Sequence, residues 1–205
     1  MKRLSFAWLI AFMVLLPATQ ASAQKPLIGV KIGANVYRTT GKQIDNDYKA
    51  YPFGGVYLGL QGDKMSLVAE GLFTQTRMIT GNNFNDIYRA YIQNGKEQIT
   101  HAEFDFTEFS VPVLVGFKLF TGTWLELGPQ FTKIVNMKDR DMILTEVTNV
   151  YKNSYVSGVG GLRIQLPLHL NISARYIYGI TNRNNTSVPE RWSTQRIQFG
   201  IGFGF

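Results

Sequence analysis

The chain ends on "RIQFGIGFGF", residues 196–205, and this stretch decides the fold. Successive side chains of an extended strand point to opposite faces. Ile197, Phe199, Ile201, Phe203 and Phe205 therefore share one face, while Gln198, Gly200, Gly202 and Gly204 share the other. A lone strand of this kind is an aggregation hazard, because its apolar face and its unpaired edge both invite association. Both have to be covered.

The same alternation recurs toward the N-terminus. It predicts strands at 27–39, 51–61, 65–78, 103–120, 124–137, 151–166, 168–181 and 191–205. The connections alternate between two kinds. Gly62-Asp63-Lys64, Thr121-Gly122-Thr123 and the segment around Pro167 are tight turns, with Gly or Pro where hairpins want them. Segments 40–50, 79–102, 138–150 and 182–190 are longer and polar. This rotation of long and short connections predicts an all-β, eight-stranded antiparallel up-and-down barrel with both termini on the short-turn side. Outer-membrane barrels have this layout, with short periplasmic turns and long external loops, and the strands exceed the roughly 9–11 residues a tilted span requires. Pairing of the last strand with the first removes the open edge, and lipid covers the apolar face.

A soluble barrel such as a lipocalin shows the same alternation with inside and outside exchanged. The polar face separates the two. It is made mostly of small neutral residues, among them Gly33, Gly59, Ser66, Thr74, Ser110, Gly116, Thr132, Ser157, Ser173 and Gly200, which suit a narrow filled interior. The other face carries Ile28, Val30, Ile32, Leu58, Val113, Leu162 and Ile172. Phe131, Tyr176 and Tyr178 near the long loops, with Phe203 and Phe205 at the opposite end, predict two interfacial aromatic girdles. The reading is a transmembrane barrel, with a lipocalin-like soluble carrier as the alternative.

The N-terminus fits export. Lys2 and Arg3 precede the apolar run "LSFAWLIAFMVLLPA" and the small-x-small site Ala21-Ser22-Ala23, the layout of a cleavable signal peptide over residues 1–23. The barrel domain is then 24–205, and loss of the leader lowers the formal charge from +7 to +5. With no cysteine in the chain, neither a lipoprotein anchor nor a disulfide is available. The modest positive charge does not argue for nucleic acid, because the leader and the barrel interior account for much of it.

Several charged residues fall on the inward face: Lys31, Glu70, Glu108, Lys118, Glu126, Arg163 and Arg175, with Arg196 at the mouth or mid-barrel depending on register. Without Arg196 they are nearly balanced. An unpaired buried charge is costly, so near-balance predicts a paired network that fills the lumen, and a large pore is not expected. Arg38, Arg77 and Lys133 have outward parity late in their strands, and with Arg183 and Arg191 they are expected at the external interface. There Arg38, Arg77 and Lys133 are candidates for contact with lipopolysaccharide phosphates.

In the longest loop, Asn85 or Asp86 is placed to cap a short helix through about Gln93, with Ile87, Tyr88 and Tyr91 along one side. These aromatics either fold back over the barrel mouth or mark a partner site. "KDRD" at 138–141 offers two carboxylates, few for a calcium site. Catalysis is not expected. His101 lies in a long loop, and His169 is four residues from Ser173, about 13 Å along a strand at ~3.3 Å per residue and beyond hydrogen-bond reach. No phosphate loop or metal-ligand cluster is evident, and no cofactor is expected.

The segments "GVKIGANVYR", "FSVPVLVGFKL" with Pro112, "LELGPQF", "GVGGLRIQL", "ISARYIYGITN" and "IQFGIGFGF" span nearly the whole chain after the leader. Together they resemble the Bacteroidetes-type small outer-membrane β-barrels often labelled PorT-like. The resemblance implies a monomeric Gram-negative outer-membrane protein with a structural or surface-interaction role, surrounded by outer-membrane lipid and lipopolysaccharide. It also implies that Phe203 and the terminal Phe205 form a signal for the barrel-assembly machinery. A role as accessory of a protein secretion system, as in the family's founding member, is the alternative it carries.

Overall fold

Period-2 burial runs through every strand. β4, Glu103–Phe120, alternates strictly between buried and partly exposed residues until its last turnward positions. β7, Leu170–Gly179, does so over its whole length. The other strands are β1 Lys25–Thr40, β2 Lys49–Gln61, β3 Met65–Ile79, β5 Thr123–Asp139, β6 Ser154–Gln165 and β8 Ser193–Gly204. The computed structural model describes residues 24–41, 44, 47–82, 84–95, 102–144 and 150–205. The expected signal peptide and His101 lie outside the described residues.

The eight strands close in sequence order into one antiparallel barrel. β8 pairs with β1 from Gly29↔Gly204 to Thr40↔Ser193, so the edge of the C-terminal strand is covered. The Phe205 N–H adds a bond to the Ile28 carbonyl at 2.8 Å. Lys25 lies opposite Gln61 beside the β2–β3 turn, and both described ends of the chain sit at the short-turn end. The β4–β5 turn uses Gly122 at φ +77°, whereas the β6–β7 turn places Leu168 and His169 at φ of 62° and 59°.

The faces are sorted as a membrane barrel requires. Ile28, Leu58 and Ile201 are 57, 61 and 55% exposed on the outside, whereas Lys31, Glu70 and Arg175 are 1, 4 and 2% exposed inside. A lipocalin-like carrier would show the reverse. The inward glycines of β8 make room for larger neighbours. A Cβ on Gly200 would sit 2.8 Å from Lys31 Cε and 3.2 Å from the Phe53 ring, and one on Gly202 would meet the Asn171 amide at 2.6 Å. The alternation of Phe or Ile with Gly thus presents bulk to lipid and leaves volume for side chains from the nearby strands β1, β2 and β7.

One irregularity escapes period-2 reading. The β4–β5 register slips between Thr107↔Asn136 and Glu108↔Ile134, leaving Val135 as an extra residue. This bulge exposes Val135 and Asn136 in succession and turns Met137 toward the interior.

Candidate functional site

The lumen is filled in tiers by side chains from facing strands. Nearest the short turns, Trp124 on β5 donates to Gln165 at 3.2 Å, and Gln165 donates to Gln61 at 2.7 Å. Above them sits a charge cluster. Arg175 on β7 binds both oxygens of Glu70 on β3 at 2.7 and 2.8 Å, and its Nη2 also reaches Glu126 on β5 at 2.6 Å. Lys31 on β1 donates to Glu70 at 2.9 Å, and Arg163 on β6 donates to Glu126 at 2.6 Å. All five side chains are buried. Charged groups withdrawn from water require this density of pairing.

A neutral tier follows, in which Gln198 donates to Asn35 at 3.0 Å, while Ser110 and Thr132 hydrogen-bond at 3.0 Å. Beyond it lies a second cluster centred on Glu108. Arg196 donates to Glu108 at 2.6 Å and Arg183 at 3.3 Å, and the Tyr155 hydroxyl donates to the same carboxylate at 3.0 Å. Arg183 also donates to the Tyr37 hydroxyl at 2.5 Å, and Arg196 to that of Tyr155. The guanidinium of Arg183 lies 4.5 Å from the Tyr155 ring centroid and that of Arg196 lies 4.8 Å from Tyr37, in cation–π range.

These positions revise the expected network. The structure brings Lys31, Glu70, Glu126, Arg163 and Arg175 together and places Glu108 in a separate cluster. Lys118 belongs to neither. Its parity is inward, but β3 ends at Met65↔Phe117, so Lys118 overhangs the barrel rim and is exposed. Arg183, expected at the external interface, is instead drawn inside. The Lys152 N–H donates to the Arg183 carbonyl at 3.0 Å and the Arg183 N–H to the Trp192 carbonyl at 3.1 Å, so the loop backbone holds the guanidinium over Glu108. With Lys118 out and Arg183 and Arg196 in, five cations face three carboxylates. Sequence reading also passed over Tyr37 and Tyr155, although both share parity with the polar residues of their strands.

The loop end is closed by an aromatic cap. Phe84, Tyr88, Phe104, Phe106, Ile143, Leu144, Tyr151 and Trp192 form one buried cluster with neighbouring apolar residues. Tyr88 and Tyr151 each pack on the Trp192 indole, at centroid distances of 5.5 and 4.9 Å. Trp192 Nε1 donates to the Tyr88 hydroxyl at 3.2 Å, and the Tyr151 hydroxyl donates to Met78 Sδ at 2.8 Å. Burial raises the Tyr88 hydroxyl above its ordinary pKa, with the Trp192 bond opposing part of that rise. Burial pushes Tyr151 well above it. The expected helix is shorter and earlier than its sequence signature. α1 spans Phe84–Ile87, a 3₁₀ turn follows at Arg89–Tyr91, and the side chains driven inward are Phe84 and Tyr88.

The outward basic residues separate into two groups. Arg38 donates twice to Gln195 at 3.0 and 2.7 Å and lies over the Tyr48 ring. Arg77 pairs with Asp105 at 2.7 Å and Glu103 at 2.9 Å, and Arg140 joins the same two carboxylates. Arg191 is exposed and donates to the Ile180 carbonyl at 2.9 Å. Lys133 is exposed and has no ion-pair partner among the described residues. Asp139 and Asp141 of "KDRD" brace the cap by accepting from the Leu144 and Glu103 N–H groups at 2.8 and 3.0 Å. No group of three acidic or histidine residues fit for a metal occurs among the described residues. His169 is exposed on its turn, whereas Ser173 faces the lumen, so the two do not converge.

The sequence profile of the outer membrane protein beta-barrel domain matches residues 20–185, and the chain belongs to that family. Its place is accordingly the outer membrane. Comparison with curated protein sequences gives no significant match. Among solved structures the fold is similar to Neisserial surface protein A (NspA), at 10% identity over 87% of this chain and 97% of that one, with a TM-score of 0.50. Ail, the attachment invasion locus protein of Yersinia pestis, is similar at 12% identity over 88% and 99%, TM-score 0.48. OprG of Pseudomonas aeruginosa is similar at 11% identity over 88% and 95%, TM-score 0.49.

Proposed function

We propose that this protein is a sealed, non-catalytic outer-membrane barrel whose work is done by its walls and its loop cap rather than by passage through its lumen. The observation that carries the reading is the interior: cross-barrel ion pairs fill the mid-section, and the Trp192 aromatic cluster lies over the mouth. The role is structural or surface-interacting. The long loops face outside the cell, both termini face the periplasm, and the barrel works as a monomer. Phe203 and Phe205 serve as the assembly signal, on the strength of their exposed positions at the end of β8. The narrower PorT-like reading, with a part in protein secretion, rests on the strand motifs alone, and normal export of secreted proteins from a deletion strain would remove it.

The chain has no cysteine of its own, so single-cysteine variants report orientation directly. Asn94→Cys and Met142→Cys, both exposed on the cap, should react with a membrane-impermeant maleimide on intact cells. Thr121→Cys and Leu168→Cys, exposed at the short-turn end, should react only after the outer membrane is opened. The opposite pattern would put the cap in the periplasm and end the surface role.

A further inference from the structure

The barrel wall carries one feature that neither the lumen nor the cap uses. β5 and β6 part company at Lys133↔Ser154, and β5 runs on with β4 alone as far as Asp139. The divergence opens an outward cavity of about 500 Å³ between β4, β5 and β6, roofed by the chain just after β7. That volume lies in the range of ligand pockets, roughly 300–1,000 Å³.

Its floor and its rim differ in chemistry. Phe109, Val111, Phe131 and Val156 make an apolar floor continuous with the lipid-facing wall. Phe109 is held by its ring contact with Phe73, at a centroid distance of 4.8 Å. Lys133 and Lys152 stand on the rim, both exposed, and neither side chain has a partner among the described residues. Among the described residues no carboxylate lines the cavity. Thr181 Oγ1 accepts from the Val156 N–H at 2.9 Å, which leaves its own hydroxyl proton free to donate. Elsewhere on the external rim Arg77 and Arg140 are compensated by Glu103 and Asp105, whereas no carboxylate of the described residues pairs with Lys133 or Lys152.

We infer that this cavity binds a phosphorylated outer-leaflet glycolipid of the lipid A class, with an acyl chain on the Phe109–Phe131 floor and a phosphate between Lys133 and Lys152. Two cations over a lipid-continuous hollow match an anionic amphiphile, since phosphate oxygens accept charge-assisted bonds and the chain removes the apolar floor from the interface. The inference revises the rim assignment: Lys133 keeps its place, whereas Arg38 and Arg77 have protein partners and Lys152 replaces them. The expected level of the headgroup rests on the cap facing outward.

The test uses the full-length protein in bicelles, titrated with diphosphoryl lipid A, with the dephosphorylated lipid and with inorganic phosphate. Lys133→Gln/Lys152→Gln should weaken diphosphoryl lipid A binding about tenfold or more, in keeping with about 1 kcal/mol per basic residue at a membrane surface. Val156→Trp, which fills the floor without altering charge, should weaken it as well. Lys64→Gln/Lys118→Gln at the opposite end should not. Dephosphorylated lipid should bind the native protein no better than it binds the double variant. Equal binding by native and Lys133→Gln/Lys152→Gln protein overturns the inference, as does equal loss in the Lys64/Lys118 pair. Full competition by inorganic phosphate also overturns it, by showing a free-anion site. Binding that meets these expectations while the cap cysteines fail to label on cells would keep the cavity and discard only the orientation.

Discussion

Arg175 and Glu70 meet across the barrel axis, from β7 to β3, in a two-pronged pair at 2.7 and 2.8 Å. Three strands lie between them in either direction around an eight-stranded wall, so this contact ties opposite sides of the cylinder together.

Charge counting makes the two halves of that pair unequal. The cluster holds Lys31, Arg163 and Arg175 against Glu70 and Glu126. Arg175→Met leaves two cations on two carboxylates, each still paired. Glu70→Gln leaves three cations facing one carboxylate. We expect Glu70→Gln to cost about 3–5 kcal/mol, the range for breaking a buried pair, and Arg175→Met about 1–2 kcal/mol, an ordinary destabilisation. Urea unfolding in lipid vesicles ranks them, and the reverse order would refute the charge count.

Arg183 couples the cap to the barrel, because its backbone belongs to the β7–β8 loop while its guanidinium reaches Glu108 and Tyr37. Arg183→Ala should speed amide hydrogen exchange at Lys152, whose N–H donates to the carbonyl of residue 183, and at Trp192, whose N–H donates to the neighbouring Asn182 Oδ1, while β3 and β4 stay protected. Unchanged exchange in the loop would show that the aromatic cluster alone holds the cap.

The β6–β7 turn stores strain that substitution can release. Leu168 and His169 both have positive φ, a region that costs a non-glycine residue about 1–2 kcal/mol. Leu168→Asn/His169→Gly, the Asn-Gly pair such a turn prefers, should stabilise the barrel by about 1 kcal/mol or more in the same unfolding assay.

The cap should be alkali-sensitive. Tyr88 and Tyr151 have hydroxyl pKa values raised by burial, so the folded state holds their protons more tightly than the unfolded chain. That contribution is complete below the ordinary value near 10 and is lost as pH rises through the raised values. In a chain starting at Gln24 with Trp124→Phe, Trp192 is the remaining tryptophan. Its emission should hold steady up to about pH 10 and then shift to the red, later or less in Tyr151→Phe.

Strands were legible in the sequence because period-2 alternation and Gly or Pro at the turns act locally. β4 spans 103–120 as expected, and the other strands differ from their expected ends by three residues or fewer. The lower charge cluster was legible for the same reason, since parity alone aims Lys31, Glu70, Glu126, Arg163 and Arg175 inward. Parity fails where a strand overhangs its neighbour, as at Lys118, and where a bulge adds a residue, as at Val135. It has nothing to say about a loop. Arg183, Phe84 and Trp192 take their places through tertiary bonds between segments distant in the chain, so their burial left no periodic trace.

Single-channel recording in planar bilayers tests the central claim most directly. The native barrel should show no large, stable conductance at any voltage the membrane withstands, because the Arg175–Glu70–Glu126 tier and the Trp192 cap block the same path in series. A steady open channel of porin size in the native protein would contradict the account.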